Sequence, residues 1–83
     1  MNIELMPNSH DLFVIQPKIH TDQRGYFLER FQHKLLEEAC GFEIDFIQQN
    51  ESFSSKNVVR GLHYQIQNTQ SKLVTVIKGS VLD

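Results

Sequence analysis

The sequence predicts a mainly β chain with one short helix near residues 32–40. Two observations carry that reading. Short runs rich in Val, Ile and Phe recur between clusters of Asn, Asp, Gly, Pro and Ser, which is strand-and-turn punctuation. Only one stretch has helical spacing of its apolar residues, and a glycine closes it.

Taken in order, Leu12 to Ile15 is an apolar run that reads as a strand ended by Pro17. His20 to Gly25 is polar and holds Asp22 and Gly25, which predicts a turn. Tyr26 to Phe31 alternates loosely, as a strand or an extended arm. The helix follows over Gln32 to Cys40. Leu35, Leu36 and Ala39 form its apolar face, Phe31 lies at its edge and Gly41 is the stop. Phe42 to Gln49 reads as a strand, with Phe42, Ile44 and Phe46 on one parity. Glu51 to Asn57 reads as a loop, Val58 to Ile66 as a strand and Gln67 to Ser71 as a polar turn. Lys72 to Ile77 is a β-branched strand, turned by Lys78-Gly79-Ser80. Val81-Leu82-Asp83 then starts a strand that stops, which predicts a chain cut in mid-fold or an edge completed by a partner.

Bulk properties narrow the function classes. With 83 residues the chain supplies at most one small domain with a modest core. The net charge of -2 gives no electrostatic case for nucleic acid or an acidic membrane. Cys40 is the single cysteine, so an internal disulfide is impossible, in keeping with a reducing compartment. The first residues carry no basic segment followed by an apolar one, and no apolar run approaches the ~20 residues that span a bilayer. A cytoplasmic globular protein is the expectation.

The chemistry-bearing residues crowd into Asn57 to Gln65, NVVRGLHYQ. An imidazole such as His63 can act as a base near neutral pH, or be a half-buried strand histidine bonded to a neighbour. Strict alternation would put Arg60 and His63 on opposite faces. Gly61 between them permits a bulge, which would let a base and an anion-binding guanidinium share one pocket. Arg60 would otherwise be a surface ion-pair partner. Lys72 opens the next strand, where an ammonium can stabilise an oxyanion, or simply be solvated at a strand end. A metal site is not indicated. The pattern is His63-Tyr64-Gln65 rather than H-x-H, and His10, His20 and His33 have no ligand spacing. Cys40, near Leu36 on the helix face, is expected to pack rather than react.

Several segments together resemble one family. Asp22 to Phe27, DQRGYF, is similar to the D-x-R-G-x-F stretch of the dTDP-4-dehydrorhamnose 3,5-epimerases. FIQQN at Phe46 to Asn50 resembles their F-x-Q-x-N, and RGLHYQ at Arg60 to Gln65 their R-G-L-H-x-Q. QSKLV at Gln70 to Val74 resembles Q-x-K-L-V, and Val76 to Asp83 resembles V-x-x-G-x-V-x-D. These segments occur in order and at suitable spacing, from about Phe13 onward. Asn57 departs from the glycine of many relatives.

The resemblance implies a cupin double-stranded β-helix, of which residues 1–83 would be a single partial domain, the N-terminal half. It implies a homodimer and no metal or organic cofactor. The implied reaction epimerises carbons 3 and 5 of dTDP-4-dehydro-6-deoxy-D-glucose to dTDP-4-dehydro-L-rhamnose, on the route to dTDP-L-rhamnose for lipopolysaccharide and O-antigen. By the same resemblance His63 is the general base and Lys72 lies near the developing enolate. Arg60 binds substrate near the diphosphate. Arg24, Phe27, Glu29, Gln48 and Asn50 contact the nucleotide side, some of them across the dimer. The family's acid tyrosine, its histidine-orienting aspartate and a second histidine belong to its C-terminal half. The 83 residues alone are therefore expected to be weak or inactive. Two alternatives stay open: a non-catalytic dTDP-binding or dimerisation module, and a related dTDP-sugar isomerase or single-position epimerase.

Overall fold

The computed structural model describes residues 2–83. Strands β1 (Asn2–Leu5), β2 (Phe13–Gln16), β3 (Ile19–Asp22) and β4 (Gly25–Leu28) precede one helix, α1 (His33–Cys40). The class is mainly β with one short helix. The chain divides into two compact units, Met1–Ile44 and Asp45–Asp83.

The first unit contains all of the regular structure, and local chemistry explains each part. β1 and β2 pair antiparallel, with Ile3 opposite Ile15 and Leu5 opposite Phe13. Ile3, Phe13 and Ile15 form the half-buried face, while Asn2, Glu4, Val14 and Gln16 face water. That division follows from the period of two along a strand. The connection begins with a turn in which the Ser9 N–H donates to the Met6 carbonyl at 3.2 Å. Pro7 sets its first central position and Asn8 takes the second at φ 61, the chemistry of a type II turn. Ser9 Oγ then accepts from the N–H groups of Asp11 and Leu12, tying the loop to β2.

β3 and β4 form a second antiparallel hairpin, separate from the first. Gln23 and Arg24 alone make its turn. The Asp22 carboxylate accepts the Arg24 N–H at 2.8 Å, an Asx turn, and Gly25 re-enters the strand at φ 136. Hence the polar segment expected to turn over His20 to Gly25 is mostly strand. His20 pairs across to Phe27 and Thr21 to Tyr26 because a two-residue turn fixes that register.

The helix begins at Gln32, whose extended backbone (φ -141, ψ 113) and side-chain Oε1 cap the Leu35 N–H at 2.9 Å. Gly41 ends it at φ 83, donating its N–H to the Glu37 carbonyl at 2.8 Å. This is the left-handed termination that glycine accepts without a Cβ penalty. The Glu37 carboxylate pairs with His33 one turn earlier and accepts the Ile44 N–H at 3.2 Å. Folding the chain back this way buries Leu36 (5% exposed) and Ile44 (8% exposed), the core among the described residues.

The chain after the helix differs from its sequence expectation. The sequence predicts strands over Phe42 to Gln49, Val58 to Ile66 and Lys72 to Ile77; none of these forms a ladder. Two turns remain. Val58 N–H donates to the Ser55 carbonyl at 3.3 Å, with Asn57 at φ 69, and Asn68 is left-handed at φ 53. β-Branched residues favour a strand only when a neighbour pairs with it and a face is covered. Val59 at 91% and Leu62 at 104% exposure have neither. β1 was not foreseen, because NIEL is short and only half apolar. Among the described residues no helix is long and apolar enough to cross a membrane.

Candidate functional site

The first unit carries Arg24, Phe27 and Glu29 on or beside the β3–β4 hairpin. Arg24 stands in the turn, and its guanidinium grips Asp22 Oδ2 through Nη2 at 2.6 Å and Nε at 3.1 Å. Both N–H groups converge on the one oxygen, while the other carboxylate oxygen takes the Arg24 backbone N–H, so the pair is tied down at side chain and backbone together. The Arg24 side-chain bond, then the Arg24 backbone N–H, hold the Asp22 carboxyl below the usual carboxylate range. At 87% exposure the guanidinium presents its outer edge to solvent, so the pair orients more than it stabilises.

Phe27 lies on β4, on the hairpin face it shares with His20 and Asp22. Its ring stands 6.3 Å from the His20 imidazole at 40°. A shallow groove over this face is lined by His20, Asp22, Arg24 and Phe27, among others. A flat apolar ring beside a cation and a hydrogen-bonding imidazole can hold a heteroaromatic base and an anion together. Glu29 follows β4 and is exposed.

The second unit carries the other candidates. Gln48 Nε2 donates to Asn50 Oδ1 at 3.2 Å, so these two act as one amide pair. Arg60 Nη2 donates to the Phe53 carbonyl at 2.8 Å, which draws its guanidinium back over the 53–60 loop. Gly61 sits at φ 120, away from extended backbone. An added Cβ would come 3.8 Å from the His63 backbone N and from its Nδ1, ordinary contact. Glycine is required at this position by the dihedral rather than by lack of space. His63 and Lys72 are exposed, and neither makes a hydrogen bond or ion pair within the described residues.

Sequence reasoning overlooked two features. Asp22 was read as a turn and motif residue with no part in holding Arg24, although an acid two positions before an arginine is the pattern that anchors it. The second is a bond between motif glutamines: the Gln70 N–H donates to Gln65 Oε1 at 3.0 Å, closing the turn between the His63 and Lys72 segments. Asn57 is left-handed at φ 69, a conformation that asparagine and glycine tolerate best. Cys40 is half-buried, and that burial pushes its thiol up. It packs as the sequence suggested.

Comparison with known proteins gives one consistent result. Residues 8–83 match the family model described as dTDP-4-dehydrorhamnose 3,5-epimerase. The chain belongs to that dTDP-sugar isomerase family. It is similar to the dTDP-4-dehydrorhamnose 3,5-epimerase of Shigella flexneri, 46% identical over 88% of this chain and 41% of the relative. That of Pseudomonas aeruginosa is 44% identical over 88% of this chain and 40% of the relative. The Methanothermobacter thermautotrophicus enzyme is 47% identical over 84% and 37%, respectively. The chain thus spans about two fifths of the length of these curated relatives. No solved structure gives a significant match.

Proposed function

We propose that this chain supplies the general base and much of the substrate-binding surface of a dTDP-4-dehydrorhamnose 3,5-epimerase. The observation that carries this reading is the family match over residues 8–83, which includes both RGLHYQ and QSKLV. The substrate is dTDP-4-dehydro-6-deoxy-D-glucose. His63 removes the proton from carbon 3 or 5, each alpha to the carbon-4 ketone. The C–H electron pair moves onto the ketone oxygen as an enolate, and the Lys72 ammonium offsets that charge. Reprotonation from the opposite face inverts the centre. Arg60 holds the diphosphate. Arg24, Phe27, Glu29, Gln48 and Asn50 hold the nucleotide. The setting is a cytoplasmic homodimer of cupin fold making dTDP-L-rhamnose for surface polysaccharide.

A second reading has its own support. Arg24 and Phe27 stand on a formed hairpin, whereas His63 and Lys72 stand on unpaired chain. That asymmetry favours a dTDP-binding or dimerisation module in which binding outlasts catalysis.

Calorimetry with dTDP and proton exchange in heavy water separate the two. For the epimerase reading the full chain binds dTDP and places deuterium at carbons 3 and 5 of dTDP-4-dehydro-6-deoxy-D-glucose. The exchange is slow, because an exposed imidazole has nothing to orient it, and His63→Ala abolishes it. Binding without exchange supports the module. Neither binding nor exchange sinks both readings.

A further inference from the structure

Asp22 is the last residue of β3 and shares a hairpin face with His20 and Phe27. Arg24, two residues on, stands in the turn, where no ladder directs its side chain. The Asp22 carboxylate directs it instead. Its Oδ1 accepts the Arg24 N–H at 2.8 Å, and its Oδ2 takes the guanidinium at Nε (3.1 Å) and Nη2 (2.6 Å). One carboxylate thus holds the backbone and the head of the same arginine. Because that carboxylate lies on the Phe27 face, the guanidinium is drawn to the groove that Phe27 and His20 also line. These bonds use the edge formed by Nε and Nη2. The edge formed by Nη1 and the second Nη2 N–H is left for an oxygen of a ligand.

We infer that Asp22 is a positioning residue for the nucleotide site: it holds the Arg24 guanidinium at the Phe27 groove with one edge presented to the ligand. The ligand rests on the dTDP-binding reading above; the anchor does not. An untethered arginine samples many rotamers, and ordering it on binding costs affinity. An arginine already held by a supporting side chain has met that cost before the ligand arrives. A pair with the guanidinium 87% exposed adds little to folding, so its effect belongs to binding rather than to stability. Charge alone predicts the opposite sign. Removing a carboxylate beside an anion site would favour a nucleotide diphosphate, whereas loss of the anchor weakens its hold.

Calorimetry with dTDP on the full chain tests this through a double-mutant cycle of Asp22→Asn and Arg24→Ala. Asparagine keeps the Oδ1 that closes the turn and removes the charged acceptor of the guanidinium. Asp22→Asn is expected to weaken dTDP binding about 3–10-fold. In the Arg24→Ala background the same substitution is expected to change nothing, an outcome that general damage to the hairpin would not produce. Unchanged or tighter binding in Asp22→Asn overturns the proposal. So does an equal loss with and without Arg24. A second measurement needs no ligand. The heteronuclear NOE of the Arg24 Nε–H is expected to be high in the wild-type chain and to fall in Asp22→Asn. A low value in both overturns the anchor. If the NOE responds but the wild-type chain does not bind dTDP, the dTDP-binding reading fails and the anchor stands.

Discussion

Residues up to Ile44 and residues from Asp45 onward have similar strand-forming composition, yet only the first set forms ladders. The difference lies in what closes each segment. β1 and β2 are joined through Pro7, Asn8 and Ser9, and β3 and β4 through Asp22, Arg24 and Gly25. Each hairpin therefore finds its partner within a few residues, where loop closure costs least. The Val58–Ile66 and Lys72–Ile77 segments have a clasp between glutamines but no covered face. Their apolar side chains remain in water. A bonded local turn, not β propensity, separates the two regions: β3 is exposed throughout and β4 nearly so, yet they pair.

The sharpest way to break this contrast is to remove the first unit's core. Leu36→Ala truncates the more buried of the two core side chains and is expected to cost about 2–3 kcal/mol. Helical circular dichroism should fall, while amide exchange over residues 45–83 stays as it was. Coupled loss in both regions would show that they fold as one.

Next in size are the turn glycines. Gly25→Ala puts a Cβ on a backbone at φ 136, where surrounding space is free but the dihedral is strained. The expected cost is on the order of 1–2 kcal/mol. It should be confined to β3–β4 amides in an exchange experiment, leaving β1–β2 protection unchanged.

Much of the first region was legible in the sequence. The helix lies within one residue of its expected start, and Gly41 ends it as expected. Asp22 and Gly25 marked a real turn, though a tighter one than polarity alone implied. The later strands were misread for a physical reason: alternation shows which face a strand would bury but not whether anything covers it. Among the candidate site residues, motif spacing nominated the side chains. It did not give the bonds around them, such as Asp22 to Arg24 and Gln65 to Gln70. Those are side-chain contacts to neighbours at short range, visible only once the turns have formed.

A smaller effect sharpens the comparison at the hairpin tip. Because Arg24 lowers the Asp22 carboxyl in the folded turn, its contribution is present above the ordinary aspartate value of 3.8 and is lost as pH falls through the depressed one. The Arg24 amide resonance should follow that transition. Arg24→Ala should move the midpoint up toward the ordinary value. A midpoint indifferent to Arg24→Ala would mean that the guanidinium does not engage Asp22 in solution.

The smallest expected effect is also the most discriminating one for the second region. Leu62 is fully exposed at 104%, inside the most motif-rich stretch of the chain. An apolar side chain that touches nothing contributes nothing when removed, so Leu62→Ala should change stability by less than about 0.5 kcal/mol. The same substitution in a ladder with a covered face would delete a buried leucine and cost about 2 kcal/mol or more. Urea unfolding at two protein concentrations separates the cases. A small, concentration-independent change fits unpaired chain. A large change that shrinks on dilution would mean that a second copy covers this side chain, and that the exposure of residues 45–83 is a property of the single chain alone.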